Sequence, residues 1–436
     1  MMERADRKGW AVVTLLSVAA TVAYMDRLIL SVLFVPLSRD MSLTDTQMSV
    51  LQGGSFAVVY ALAGLPLGLL ADRLNRRNVI LASILVWCSA TVACGFATSF
   101  SQLVIARVCV GVGEAALFPA ATSMVGDSVT LQRRGLALGV FIMGQVLGGG
   151  AAVGVGGILL EFAQNHSFSS FDLLKGLAPW RQVLLMIGLL GLPILFGMTF
   201  VREPDRRELA ADRIVGLKSV LAHLTSHRRT LLPLLLALAC AAISDFSIGA
   251  WTPTLLTRKF GWGGAQIGFW FGGCLIASGI IAAPIAGVLS DWVRAQAGSR
   301  GVIRWALAAA AGAFLCTAFA LAGTAPMLLG ILFAQAIASS ICSLICFMAI
   351  QVSLPNELRG LGSALVSLGN ILFGLGCGPT LVALSTQYLY RDPAAVGLSI
   401  TTVTAPAFAV CALLLVMAQR GEVAGARLPL RTGAPP

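Results

Sequence analysis

The sequence predicts an all-α membrane protein with twelve transmembrane helices in two pseudo-symmetric six-helix bundles. The first observation is composition, because 57% of the 436 residues are hydrophobic and only 11% are charged. Soluble globular proteins carry roughly 25% charged residues. The second is the presence of apolar runs near 20 residues, the length that crosses the hydrocarbon of a bilayer. The third is a pair of short motifs that recur in the second half of the chain.

Each apolar run is interpreted as one span. The first run is too long for a signal peptide and lacks a small-residue cleavage site. The longest polar stretch, residues 202–230, predicts a cytoplasmic linker able to form an amphipathic helix. It separates an N-terminal bundle (1–201) from a C-terminal bundle (231–420), and residues 421–436 are a cytoplasmic tail. The twelve spans are 10–36, 48–71, 78–98, 100–125, 135–160, 181–201, 231–257, 265–289, 304–323, 326–350, 360–387 and 396–419.

The distribution of basic residues predicts the orientation. With the N-terminus in the cytoplasm, the termini and even-numbered loops hold 22 of the 30 Lys and Arg residues, and the opposite loops hold six. The positive-inside rule therefore places both termini in the cytoplasm of a multi-pass plasma-membrane protein, the cell inner membrane if the chain is bacterial. The net charge of +11 is an orientation signal. No nucleic-acid partner is expected, because the basic residues form no single concentrated face.

Two repeats support duplicated halves. "GLLAD" at 68–72 is answered by "GVLSD" at 287–291, and Arg134-Gly135 by Arg359-Gly360. Such duplication is expected where a binding site lies between two bundles near the membrane midplane.

Four charged residues fall well inside predicted spans of the first half, away from the span ends. An ionised side chain at the bilayer centre costs roughly 2.5 to 3.5 kcal/mol, so Asp26 and Arg27 should face protein or water. Arg107 and Glu114 are seven residues apart, two turns along one helical face. We expect Asp26 near Arg107 and Arg27 near Glu114. The cluster is either a structural clasp or a set of carboxylates whose protonation changes during a working cycle.

Asp245 is the only carboxylate well inside the second bundle, where it is positioned to meet a substrate or a proton. Asp72 and Asp291 end the second helix of each half, and we expect them to form a cytoplasmic gate. Asp45 either caps a helix with Ser42 or acts as an extracellular gating carboxylate. The basic residues expected at the cytoplasmic gate are Arg73, Arg76, Arg77 and Arg134; the alternative for the three in the loop is anchoring in anionic headgroups.

Metal and enzyme chemistry are not expected. The ten cysteines lack a CxxC pair, and His223 with His227 has no nearby Cys or carboxylate to complete a metal site. The predicted spans contain no His, so a membrane enzyme would lack its usual base. No cofactor is predicted. The glycines Gly144, Gly148, Gly150 and Gly154 in the fifth span predict close packing against another helix.

The motifs resemble a known family. "GLLADRLNRR" at 68–77 is similar to the loop between helices two and three of the major facilitator superfamily, and "ARVCVGVGEA" at 106–115 to its fourth helix. "YMDR" at 24–27, "GVGEA" at 111–115, "QRRG" at 132–135 and "VREP" at 201–204 resemble its spinster-like branch. The resemblance implies the major facilitator fold.

It also implies a secondary transporter that is coupled to protons and works by alternating access. The transporter is expected to be a monomer surrounded by membrane lipids. For the spinster-like branch the implied substrate is an amphipathic anionic lipid, of lysophospholipid or sphingoid-phosphate type. The alternative is a small organic anion such as a sugar acid, since transporters of these compounds share similar signatures and "FPAAT" at 118–122 is typical of them. A receptor that transports nothing stays open, although it leaves the charges within the membrane unexplained.

Overall fold

The structure, a computed structural model, describes residues 2–165, 176–206 and 217–426. In these ranges the chain forms helices and short connections without a strand, as predicted. The first half comprises α1 (Met2–Leu28), α2 (Leu30–Asp40), α3 (Asp45–Ser49), α4 (Ser55–Arg73), α5 (Arg76–Phe96), α6 (Phe100–Ala115), α7 (Leu117–Ser128), α8 (Arg134–Asn165), α9 (Pro179–Leu189) and α10 (Gly191–Thr199).

Helix α11 (Leu217–Ser226) lies within the predicted linker, of which residues 207–216 are outside the described part. The second half comprises α12 (Arg228–Phe260), α13 (Gly264–Ile267), α14 (Gly273–Leu315), α15 (Ala325–Ser353), α16 (Asn356–Gly369), α17 (Gly378–Leu384) and α18 (Val396–Ala426). Segments of π-helix, with a wider turn than the α-helix, occur at Val50–Gly54, Gly268–Gly272, Asn370–Cys377 and Ser385–Tyr390.

The predicted spans correspond to these helices. Ten segments of the described residues are long and apolar enough to cross a membrane, and the other two predicted spans fall on α4 and on Gly301–Leu315. One boundary differs from expectation. The eighth and ninth spans were expected to be separated by a loop, whereas the helix continues through that region as α14.

Several spans contain a break, and some breaks have a clear cause. Proline lacks the N–H that bonds to the carbonyl four residues earlier. Pro119 and Pro193 follow the breaks at Ala116 and Leu190 by three residues each. The first span breaks at Ile29, directly after Asp26 and Arg27.

The ends of the membrane helices form two opposite faces of the molecule. The terminal face is the end at which α1 and α12 begin and where α4 meets α5. The distal face is the opposite end, where α2 meets α3 and α12 ends at Gly261. Helix α8 packs closely on α1, because a Cβ at Gly148 would lie 2.5 Å from the Thr21 carbonyl oxygen. The glycines predicted to form a packing surface therefore do so.

The buried core changes along the membrane axis. One apolar cluster contains residues of both halves near the distal face, including Phe34 and Trp251, whose ring centroids are 4.7 Å apart. A second cluster lies in the first half apart from Leu375, and a third lies in the second half. The two halves thus share a core at the distal face, and each has its own core toward the terminal face.

Candidate functional site

A cavity of about 350 Å³ lies between the two halves. Its walls are mainly apolar, with Leu, Ile, Val, Phe, Ala and Gly side chains. Helix α15, the tenth predicted span, contributes the polar residues Gln335, Ser340 and Ser343. The charged side chains that line the cavity are Arg27 and Asp245, and the uncharged polar ones include Tyr24, Ser31, Gln52, Ser278, Gln335, Ser340, Ser343 and Asn370.

Arg27 forms the predicted ion pair with Glu114. Its Nη2 and Nε atoms lie 2.6 and 3.0 Å from Glu114 Oε2, and the Glu114 side chain is 1% exposed. The guanidinium carbon also lies 4.9 to 5.0 Å from the ring centroids of Tyr24, Phe56 and Tyr60. Aromatic faces attract a cation, so the cage and the carboxylate together stabilise a buried positive charge. One edge of this arrangement reaches the cavity.

Asp26 lies close enough to Arg107 for an electrostatic interaction, as predicted, but the two side chains do not form a direct ion pair. Asp26 Oδ2 accepts a hydrogen bond from the Thr91 hydroxyl, and among the described residues no ion pair joins Asp26 to Arg107. Arg107 instead donates to the carbonyl oxygens of Leu51 and Arg27, at 3.3 and 3.2 Å. Leu51 lies in a π-helical segment and Arg27 precedes the break at Ile29. Irregular helix geometry therefore supplies the carbonyl acceptors that satisfy Arg107.

Two buried carboxylates have one oxygen without a partner. These atoms are Asp26 Oδ1 and Glu114 Oε1. A buried acceptor without a donor costs free energy, and a bound proton turns such an oxygen into a donor. Each of these two oxygens is thus an acceptor that the protein leaves unsatisfied.

Asp245 lies on α12 across the cavity from these residues. Its Oδ1 accepts a hydrogen bond of 2.6 Å from the Ser339 hydroxyl, and its side chain is exposed to the cavity.

Polar contacts join the two halves at the distal face. Arg258 donates to both carboxylate oxygens of Asp45, at 3.0 and 2.8 Å. The Thr46 hydroxyl donates to Gln387 Oε1, and the Ala265 N–H donates to Glu161 Oε2. The two carboxylates, from α3 and α8, thus bond to the other half of the chain.

The helix cap predicted at Ser42 is wrong. Ser42 has a φ of 52°, a left-handed conformation used by the turn between α2 and α3. Thr44 caps α3 instead and forms a capping box with Gln47. Because Thr44 provides the cap, the Asp45 carboxylate can bind Arg258 of the other half. Such a contact is what an extracellular gating carboxylate requires.

The basic residues at the terminal face contact their own half. Arg76, 1% exposed, donates to Asp127, Glu203, Ser123 and the Pro204 carbonyl. Its neighbours differ in their contacts. Arg77 donates to the carbonyls of Met198 and Thr199, Arg134 lies 3.6 Å from Asp127, and Arg73 is exposed.

Asp72 and Asp291 lie on α4 and α14, but their side chains are outside the described part of the structure. Their predicted gating role is therefore a proposal.

Several functional candidates carry no recognisable motif. Thr91 and Gln335 are polar residues in apolar helices, and only their positions within a span distinguish them. The sequence only weakly indicates a functional role for Arg258, because it is one of six basic residues in the loops on the side opposite the termini.

The family is established by a model described as Major Facilitator Superfamily, which matches residues 16–378. The chain belongs to the major facilitator superfamily. It is thus a transporter-family protein with twelve membrane helices in two bundles.

The relatives of this superfamily member are named as transporters of different kinds. An MFS-type efflux pump of Mycolicibacterium smegmatis is 29% identical over 66% of this chain and 65% of that protein. A probable sulfoacetate transporter of Cupriavidus necator is 26% identical over 66% of each chain. A sphingosine-1-phosphate transporter of Danio rerio is 27% identical over 56% of this chain and 47% of the relative. The matches span about two thirds of the first two relatives and less than half of the third.

A solved structure shares the fold. It is a bacterial homolog of the human lysosomal transporter spinster, in an inward-facing, unoccupied conformation. The TM-score is 0.77 at 22% identity, over 96% of this chain and 97% of that one.

Proposed function

We propose that the protein is a proton-coupled secondary transporter that moves an amphipathic anionic lipid, of lysophospholipid or sphingoid-phosphate type, by alternating access. The observation that carries this proposal is the cavity between the halves, which is mainly apolar and has Arg27 in its wall. An apolar wall favours a hydrocarbon body, and a guanidinium favours an anionic head. Arg107 is buried behind Arg27 and adds positive charge to the same region.

The ion pair between Arg27 and Glu114 gives a physical route for coupling. An Arg27 that is bound to Glu114 has little free charge for a substrate. A proton on Glu114 removes the negative charge from the pair, so Arg27 then attracts an anionic head more strongly. Asp26, with an unpartnered oxygen of its own, is the second candidate for the proton. Asp245, on the opposite wall, contacts the substrate or the proton.

The distribution of contacts supports alternating access. The halves are joined at the distal face by Asp45–Arg258, Glu161–Ala265 and a shared apolar core. With both termini in the cytoplasm of the plasma membrane, this conformation is closed to the outside. Asp72 and Asp291, with Arg73, Arg76, Arg77 and Arg134 nearby, would then close the cytoplasmic side in the other conformation. The protein is proposed to work as a monomer, because each half supplies one wall of the cavity.

The second candidate substrate is a small organic anion such as a sugar acid. The name of the Cupriavidus necator relative supports it, and so do the polar residues that α15 contributes to the cavity. The predominance of apolar lining favours the lipid.

Transport by the purified protein in liposomes tests both candidates. Radiolabelled lysolipids and sugar acids are compared with and without a pH gradient, with protein-free liposomes as the control. We expect lysolipid movement that depends on both the protein and the gradient. Movement of sugar acids alone contradicts the lipid assignment, and movement that ignores the gradient contradicts the coupling.

A further inference from the structure

We propose that Asp245 binds a protonated amine of the substrate, so that the transported molecule is a zwitterionic amphiphile. Its anionic group would lie toward Arg27 and its ammonium group toward Asp245. The inference rests on the proposed function and narrows the lipid headgroup to one that carries an amine.

The charges that line the cavity support this assignment. Arg27 already has a carboxylate partner, because Glu114 Oε2 lies 2.6 Å from its Nη2. Asp245 has uncharged partners, the Ser339 hydroxyl and the Gln335 side-chain amide, and among the described residues no basic side chain forms an ion pair with it. A carboxylate that faces a largely apolar space is stabilised by a cation that enters this space. The cavity therefore lacks a positive group at Asp245.

The polar atoms around the carboxylate suit an ammonium group. Gln335 and Ser339 are four residues apart on α15 and lie on one face of that helix. The Gln335 amide lies beside the Asp245 carboxylate, and the Gln52 amide oxygen on the opposite wall is buried without a partner. Both residues line the cavity. An ammonium group has three donors, for which Asp245 and Gln52 offer acceptors, while Gln335 and Ser339 orient the Asp245 carboxylate.

The two walls also discriminate by charge. Arg27 belongs to the first half and Asp245 to the second, so a zwitterion is held by both halves at once. A head with negative charge alone would bring like charges together at Asp245, which disfavours it.

Matched ligands test the assignment in the full-length protein. The probes are a single-chain sphingoid phosphate with a free amine, its N-acetyl derivative, which is uncharged at nitrogen, and its N-trimethyl derivative, which is bulkier but keeps the charge. Binding to purified protein and transport into liposomes are both measured. We expect the amine form to bind roughly tenfold to a hundredfold more tightly than the acetyl form, and the trimethyl form, which keeps the charge but has no N–H donor, to bind with an affinity between the two.

The variants separate charge from folding. Asp245→Asn should weaken the binding of the two cationic probes only, and so remove the preference for them over the acetyl form. Asp245→Glu should retain this preference. Asp40→Asn removes a carboxylate outside the cavity and should leave the preference unchanged.

Equal binding of all three probes by the wild type, or equal weakening of all three by Asp245→Asn, overturns the amine assignment while the lipid function stands. Failure to move any of the probes, with transport of sugar acids intact, overturns the lipid function and this inference together.

Discussion

At the scale of single residues, the buried charges of the first half occupy three kinds of environment. Arg27 has a carboxylate and three aromatic faces, Arg107 has backbone carbonyls, and Asp26 has one hydroxyl. Desolvation of an ion is costly unless its donors and acceptors are satisfied. The arginines meet this condition more fully than the two carboxylates, each of which keeps one unpartnered oxygen. Asp26 and Glu114 are therefore our first candidates for the proposed proton coupling.

Replacement of either carboxylate by its amide tests this assignment. Asp26→Asn keeps an acceptor for the Thr91 hydroxyl but removes the titratable proton, and Glu114→Gln does the same beside Arg27. If Asp26 carries the coupling proton, Asp26→Asn should abolish the response of transport to a pH gradient while substrate binding persists. Arg107→Ala should instead weaken both binding and transport, because it removes positive charge near the cavity.

The measurement is gradient-driven transport in liposomes together with binding by each purified variant. Loss of coupling in Glu114→Gln alone would transfer the role to Glu114. Full gradient dependence in both amide variants would show that the cluster is a structural clasp.

At the scale of helices, close packing depends on glycine at defined positions. A Cβ at Gly148 would lie 2.5 Å from the Thr21 carbonyl oxygen, whereas a Cβ at Gly139 on the same helix would meet no atom within 4 Å. Gly148→Ala should therefore force α8 away from α1 and reduce stability by about 1 to 3 kcal/mol. Gly139→Ala should be neutral or raise stability by up to about 1 kcal/mol, because alanine favours the helix.

Thermal unfolding of both variants in detergent micelles measures the difference. Equal midpoints would contradict the packing role given to Gly148.

The ion pair at the distal face connects α3 to α12. If Asp45–Arg258 stabilises closure of this face, Asp45→Asn should increase the population in which the halves separate there. Labels at Phe96 and Leu389, both exposed and on different halves, report the separation by spin-label distance measurement. Asp40→Asn is the matched control, because Asp40 bonds Trp180 in its own half. A distance distribution identical in wild type and Asp45→Asn would rule out this gating role.

The sequence predicted the helices better than their contacts. Apolar runs and charge placement are local signals, so the spans and the pairing of Arg27 with Glu114 were predictable. The Arg107 acceptors were not, because they depend on a helix break and a π-helical turn that no motif announces. The partner of Asp45 lies 213 residues away, at Arg258. Such a contact depends on how the two halves of the chain pack against each other. Short-range sequence patterns carry no information about that packing.

At the scale of the whole molecule, the shared core near the distal face sets the conformation. Phe34 of the first half packs on Trp251 of the second, and the Trp251 indole N–H donates to the Pro379 carbonyl. Toward the terminal face the halves have separate cores. In the proposed alternating-access cycle, the opposite conformation would exchange the distal contacts for contacts at the terminal face. Asp72 and Asp291, which recur at equivalent positions of the two halves, are our candidates for the latter.

Neutralising these two residues tests the exchange between conformations. Asp72→Asn and Asp291→Asn remove charge-assisted hydrogen bonds, each worth about 1.5 to 3 kcal/mol, from the state that is closed at the terminal face. The described conformation is joined at the distal face by contacts that do not involve Asp72 or Asp291. The equilibrium should thus shift toward it by roughly tenfold or more, and transport should slow at unchanged expression. Labels at Leu136 and Val352, exposed residues of different halves near the terminal face, report the two populations by distance measurement. Asp205→Asn, which neutralises an exposed carboxylate of the same face outside the repeated motif, should leave them unchanged. If the two variants and this control give the same distances as the wild type, the recurrent Asp residues do not form a gate.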